Sequence, residues 1–145
     1  MSITIRLLAP ADRAQWEPLW QGYQTFYKVS IPAAVTEESW RRFFDVAEPV
    51  HALGAFEGER LLGITHYLFH RSTWLSTVSC YLQDLFVLPE TRGKGIGRQL
   101  IEAVYAAADK AQAGRVYWLT HETNYPGRAL YDQVGKNYGF IQYRR

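Results

Sequence analysis

Residues 81–97 read YLQDLFVLPETRGKGIG, and their order decides the fold: a β-rich run, then closely spaced glycines, then a helical pattern. Gly93, Gly95 and Gly97 let the backbone turn without Cβ clashes, so N–H groups can converge where the helix begins near Gly97. The positive end of that helix favours a phosphate or pyrophosphate. A nucleoside-triphosphate loop of the form G-x-x-x-x-G-K-[ST] is excluded, because Lys94 lies inside the loop and no Ser or Thr follows to bind magnesium. A G-x-G-x-x-G dinucleotide loop fits no better: the third glycine comes one residue early, although Glu122 could imitate the ribose-binding acid.

Outward from this segment, Ile3 to Leu8 alternates as a first strand, and Pro10-Ala11-Asp12 turns into a helix near Arg13 to Tyr27. Trp16, Leu19, Trp20, Tyr23 and Tyr27 form a helical stripe for a core or a substrate tunnel. Thr36 is the expected N-cap of a second helix through Trp40, Phe43 and Phe44, with Ser39 at the capping-box position. Pro32 makes the connection a loop able to close over a substrate. His51 to Phe56 and Leu61 to Phe69 read as an antiparallel hairpin, followed by a strand from Ser79 to Leu88. Leu100, Ile101, Val104 and Ala108 line one face of the helix from Gly97, which stops near Gly114. A strand at Arg115 to His121, a short helix from Pro126 to Val134 and a final strand at Phe140 to Tyr143 complete an α+β pattern with a mixed, mostly antiparallel sheet flanked by helices.

The 145 residues fit one domain, 1–145, and 48 % hydrophobic with 15 % aromatic residues exclude disorder. No stretch approaches the ~20 apolar residues that cross a bilayer, and the N-terminus lacks a signal pattern, so a soluble cytoplasmic protein without membrane partners is expected. A net charge of +2 is too mild for a nucleic-acid partner, and the five tryptophans and ten tyrosines come with no base-stacking motif or basic stripe. His66 and His70 on one strand stand roughly 13 Å apart, too far to share an ion, so no metal is expected and a surface or strand role is assigned to both. Cys80 reads as a buried strand cysteine rather than a nucleophile.

The segment Arg92-Gly93-Lys94-Gly95-Ile96-Gly97 resembles the [RQ]-x-x-G-x-[GA] acetyl-CoA loop of the GCN5-related N-acetyltransferases (GNAT). Leu82 to Leu88, Arg115 to His121, Asn124 and Ala129-Leu130-Tyr131 resemble that family's other ordered motifs over roughly residues 80 to 143. The nearest likeness is to the yeast histone and polyamine acetyltransferases, with the spermidine/spermine and thialysine acetyltransferases beside them. The resemblance implies an acyl-CoA N-acyltransferase fold and acetyl transfer from acetyl-CoA, without a metal, to the primary amine of a polyamine, an amino-acid-like molecule or a lysine side chain. A non-catalytic CoA-binding module or an enzyme for protein tails are the alternatives.

By the same resemblance the backbone of Leu85, Phe86 and Val87 pairs with the pantetheine arm, and Arg92, Gly93, Lys94, Gly95, Ile96, Gly97 and Arg98 hold the pyrophosphate. Asn124, Arg128 and Tyr131 complete the cofactor contacts. Tyr131 is the candidate acid for the departing thiolate, since a neutral phenol with a pKa near ~10 can protonate a thiolate whose thiol has a pKa of about 8.5. Several relatives place Glu before Asp on the central strand, where this chain has Gln83-Asp84; glutamine does not accept a proton near neutral pH. Asp84, Glu122, His121 or a water chain remains for the amine's proton, and we assign it to water relays helped by Asp84. Adjacent strand residues point to opposite faces, so Gln83 and Asp84 share a cleft only across a bulge. Tyr67, Phe69 and Trp74 are expected to shape the acceptor pocket with the first-helix stripe. The apolar GFIQY ending predicts a homodimer in which the final strand contacts the partner.

Overall fold

The computed structural model describes residues 2–145. β1 (Thr4–Leu7), β2 (Val50–Glu57), β3 (Arg60–Arg71), β4 (Val78–Val87) and β5 (Arg115–Tyr117) form one sheet of order β1-β2-β3-β4-β5, with β2 and β3 as continuous buried runs. Every neighbouring pair is antiparallel except β4 and β5, which are parallel because α3 (Ile96–Lys110) crosses between them. The remaining helices are α1 (Arg13–Phe26), α2 (Ala33–Arg42) and α4 (Tyr125–Val134). No helix is long and apolar enough to cross a membrane among the described residues.

The sheet buries both faces. On one, Ile96, Leu100, Ile101, Val104 and Ala108 of α3 pack with Leu53, Leu62, Cys80, Leu82 and Val87. On the other, Trp16, Leu19 and Trp20 of α1 pack with Phe56, Leu61, Ile64 and Phe86. α2 rides on α1 through the Trp20 Nε1–H bond to Thr36 Oγ1 at 3.1 Å. Thr36 is therefore not the N-cap expected of it. The helix starts earlier, after Pro32, and the buried hydroxyl satisfies a core indole instead. The α1–α2 connection is pinned by Gln24, whose Oε1 accepts from the Ile31 amide at 2.7 Å.

Two irregularities in β4 distort the middle of the sheet. In the β3–β4 register His66 faces Asp84 and Tyr67 faces Leu82, so Gln83 is the extra residue of a bulge. The bulge reverses the alternation: Leu82 joins the α3 core, whereas Asp84 meets His66 on the α1 side. The β4–β5 pairing then ends at Tyr81↔Tyr117, and the strands diverge.

Two expected strands change. The strand at Arg115 to His121 shortens to Arg115–Tyr117 because of this divergence. Phe140 to Tyr143 forms no strand: a strand exists only where its N–H and C=O groups find a partner, and in the single chain this segment pairs with no sheet edge. Phe140 and Tyr143 are 80 % and 89 % exposed.

A Cβ built on Gly22 of α1 would come within 2.7 Å of the Phe86 ring. Gly22→Ala is therefore expected to overpack the α1–β4 contact and lower stability by about 1–3 kcal/mol, measured by denaturant unfolding.

Candidate active site

The glycine loop is built as its spacing implies. Gly93 and Gly95 both adopt φ +79, a left-handed conformation that side chains disfavour, and Gly95 is the N-cap of α3. The amides of Gly93, Lys94 and Gly95 form no backbone hydrogen bond among the described residues, and the first amides of α3 come directly after them. Ile96 anchors the helix start in the core. The two loop arginines are partly committed within the chain. Arg92 Nε donates to the Val87 carbonyl at 3.0 Å with its guanidinium over the Phe86 ring, and Arg98 reaches Glu102 and Gln133 at 3.0 and 3.2 Å. The cradle is thus mainly backbone, with the arginine charges close by.

The divergence of β4 from β5 opens a cleft. Leu82, Gln83 and Leu85 of β4, Trp118 and Leu119 beyond β5, Tyr23 of α1 with Tyr27 at its C-cap, and Tyr131 of α4 line it. Asn124 explains the height of Tyr131. Its Oδ1 accepts from the Gly127 amide at 3.3 Å as the cap of α4, its Nδ2 donates to Thr120 Oγ1 at 2.9 Å, and Tyr131 stands two helical turns later on the same side. Arg128 Nη1 donates to the Glu122 carbonyl at 2.6 Å. Both expected cofactor contacts thus hold the loop that carries Tyr131. The Tyr131 ring lies edge-on to Trp118 at 5.7 Å, and burial, with Tyr27 nearby, pushes its phenol up to about 12. It is a neutral donor throughout the physiological range.

Asp84 lies outside the cleft wall, in a buried polar chain that starts in the α1 core. Trp16 Nε1–H donates to His66 Nε2 at 3.0 Å, and His66 Nδ1 meets Asp84 Oδ2 at 2.9 Å. Tyr23 lines the cleft, and burial first, with the Asp84 charge nearby, pushes its phenol far up. His66 lies on β3 as a strand residue but is only 4 % exposed, which corrects the surface half of the role expected for it. No periodicity flags a single histidine; the signal was the combination of an indole stripe on α1 with a residue pair on β4 that needed a bulge. His70 does differ from it: its ring bonds the Arg71 carbonyl and the Tyr117 hydroxyl. No group of three or more metal-type side chains comes together among the described residues.

Other expectations are relocated. Tyr67 and Phe69 pack with each other and with the α3-side core, and Trp74 is 73 % exposed under Arg115 at the far end of β4, so none of the three shapes the cleft. His121 lies tilted against Tyr27 at 5.5 Å and is exposed, as is Glu122. Burial pushes the Cys80 thiol up to about 11, which suits the structural role expected of it.

The pattern of the acetyltransferase (GNAT) family matches residues 15–136. The chain belongs to the GNAT acetyltransferase family. It is 34 % identical over 145 residues to the D-amino-acid N-acetyltransferase HPA3 of Saccharomyces cerevisiae, covering 99 % of this chain and 90 % of that one. It is 36 % identical over 92 residues to the thialysine N-epsilon-acetyltransferase of Mus musculus, covering 57 % and 54 % of the two chains. In fold it is similar to AAC(6')-Iy, solved in complex with the bisubstrate analog CoA-S-monomethyl-acetylneamine, with a TM-score of 0.87 at 16 % identity over 100 % and 98 % of the chains.

This GNAT chain is an N-acetyltransferase, and its residues fit the acetyl-CoA that the family uses. The open amides and left-handed glycines of the 93–95 loop suit a pyrophosphate, and the side of β4 that β5 leaves past Tyr81 offers main-chain groups to an extended amide arm. Gly95→Ala puts a Cβ on a left-handed residue at a cost of about 1–2 kcal/mol. The expected result is acetyl-CoA binding weakened up to about tenfold, measured by calorimetric titration, with little change in the fold.

Proposed function

We propose that the protein transfers the acetyl group of acetyl-CoA directly to the primary amine of a small acceptor, an amino-acid-like molecule or a polyamine, in a ternary complex. One observation carries this reading: Tyr131 and Tyr23 both line the cleft where β4 and β5 diverge. Tyr131 is the donor for the leaving thiolate, and water relays helped by Asp84 take the amine's proton. Holding amine and thioester together contributes ~7–11 kcal/mol at best, so these proton transfers carry a smaller share.

The names of the relatives support a small acceptor, since one acts on D-amino acids and the other on thialysine. The wall supports it too: aromatic and aliphatic side chains predominate, in place of the open acidic groove that a basic protein tail would need. Retention of a neutral phenol in the cleft argues against a module that binds CoA without catalysis.

Release of free CoA from acetyl-CoA, measured over a panel of D- and L-amino acids, polyamines and basic peptides, tests the proposal. Acceptor-dependent release with small amines is expected; release only with peptides would replace this reading with the protein-tail one. Tyr131→Phe should lower kcat about 10²-fold while leaving the acetyl-CoA Kd unchanged. The pH dependence has two contributions of known sign. An acceptor amine with a pKa near ~10.4 gains unprotonated fraction as pH rises, and Tyr131 keeps its proton until about pH 12. Initial rates at subsaturating amine should therefore climb from about pH 7 to 10, without an alkaline fall due to Tyr131.

The exposed apolar residues Phe140, Ile141 and Tyr143 support a homodimer in which the C-terminal segment adds to the partner's sheet. Sedimentation should give a dimer for the full chain and a monomer for one ending at Gly135.

A further inference from the structure

Tyr81 and Tyr117 form the last rung on which β4 and β5 pair, and Leu82 and Trp118, the residues that follow, line the cleft. Alternation sends these two pairs to opposite faces of the sheet. Leu82 and Trp118 pack on the α3 side with Cys80 and Val116, so the Tyr81 and Tyr117 rings lie on the α1 side, from which Tyr23 and Tyr27 also reach the cleft. The two rings are half-buried and stacked, 4.8 Å apart at 11°. Their rung closes one end of the fork between the strands; the glycine loop lies at the other end, past Val87. An acyl donor seated on that loop leaves the closed end for the acceptor.

The Tyr117 hydroxyl has a fixed sense. His70 on β3 holds Nδ1 2.7 Å from the Arg71 carbonyl, which only accepts, so the proton assigned to the ring is on Nδ1. Nε2 then accepts from the Tyr117 hydroxyl at 2.6 Å. The single phenol proton is thereby committed, and Tyr117 Oη keeps only lone pairs for a ligand. Tyr81 contributes its ring face to the stack. Burial, with the Asp84 charge, raises the Tyr81 phenol and burial raises that of Tyr117, outweighing Arg144 and Arg115 respectively, so both stay neutral. Arg115, two residues before Tyr117 on the same face, is turned to the Trp74 ring at 5.4 Å.

We propose that this tyrosine pair is an acceptor subsite, in which Tyr117 determines specificity by accepting a hydrogen bond from an N–H or O–H group that the acceptor carries beyond its reacting amine, with His70 as the positioning residue. The inference rests on the acetyl-transfer reading above and narrows its acceptor class to amines that bear a second amino group or a hydroxyl. A carboxylate in that place meets the lone pairs of Tyr117 Oη with no proton between them. A plain alkyl chain gains no hydrogen bond there.

The test uses the full chain and primary amines of matched chain length in plain alkyl, ω-amino, ω-hydroxy and ω-carboxy form. Their kcat and KM, referred to the unprotonated amine, are measured for the wild type, Tyr117→Phe and His70→Phe, each with its acetyl-CoA Kd and melting temperature. In the wild type the ω-amino or ω-hydroxy form is expected to exceed the alkylamine by about fivefold in kcat/KM, carried by KM, as one added hydrogen bond implies. A lead by the ω-amino form supports the subsite with an ammonium as donor, and a lead by the ω-hydroxy form supports it with a hydroxyl. Tyr117→Phe keeps the stacked ring and should level the series to within about twofold, with acetyl-CoA Kd unchanged. His70→Phe frees the phenol proton to turn outward, so the ω-carboxy form should gain about fivefold relative to the alkylamine, a shift that lost packing does not produce. Alkylamines as good as the donor-bearing amines in the wild type, or a preference that survives Tyr117→Phe, would overturn the subsite. An ω-carboxy form that gains nothing in His70→Phe removes the positioning role. A wild type that acetylates none of these amines would sink the acetyl-transfer reading itself, a result distinct from an active wild type that ignores the second group.

Discussion

One extra residue in β4 governs the site. Without the bulge at Gln83, strict alternation would place Leu82 and Asp84 on the same face, and either the leucine would leave the α3 core or the carboxylate would enter it. An ionised carboxylate among Leu100, Ile101 and Val104 has no partner, so that arrangement is closed. The bulge resolves both demands. Leu82 stays with α3, Asp84 crosses to His66, and Gln83 is left at the cleft wall. It also comes just before the point where β4 and β5 part, so the strand's irregularity and the opening of the sheet belong to one distortion.

The two faces of the sheet consequently do different chemistry. The α3 face is aliphatic and close-packed, and it fixes the glycine loop by burying Ile96 and Leu100 at the start of the helix. The α1 face is aromatic and carries polar atoms that require partners: two indole N–H groups, an imidazole and a carboxylate. Buried polar groups are costly unless paired, and here the pairing is sequential, each donor meeting the next acceptor. The rigidity of the acceptor side thus comes from satisfied hydrogen bonds as much as from packing.

The parts of the chain that were legible in sequence are those whose signals are local. Gly93 and Gly95 announced a left-handed loop, and the 3.6-residue stripe of Leu100, Ile101, Val104 and Ala108 announced α3; strand alternation gave only the condition that Gln83 and Asp84 share a face across a bulge, and the bulge at Gln83 instead sends Asp84 to His66. The misreadings have a common cause in partners distant along the chain. Thr36 has the side chain of a cap, but the Trp20 indole 16 residues earlier claims its hydroxyl. His66 was given a surface or strand role because its burying partners are remote in sequence, Trp16 50 residues away and Asp84 18 residues away. The GFIQY segment has strand composition, yet composition does not supply a neighbouring edge. Asn124 was picked out by the family resemblance; the structure adds that it is a cap two helical turns before Tyr131.

The cleft joins two walls of unlike material. On the loop and β4 side the groups that face a ligand are chiefly main-chain amides and carbonyls, which persist through most side-chain replacements. On the α1 side they are side chains, Tyr23 at the edge of the helix's buried stripe and Tyr27 at its C-cap among them. Mutational drift can therefore recast one wall while the other stays constant. A scaffold divided in this way is evolvable: acceptor preference can diverge among descendants by substitutions that leave the shared acyl donor's seat intact.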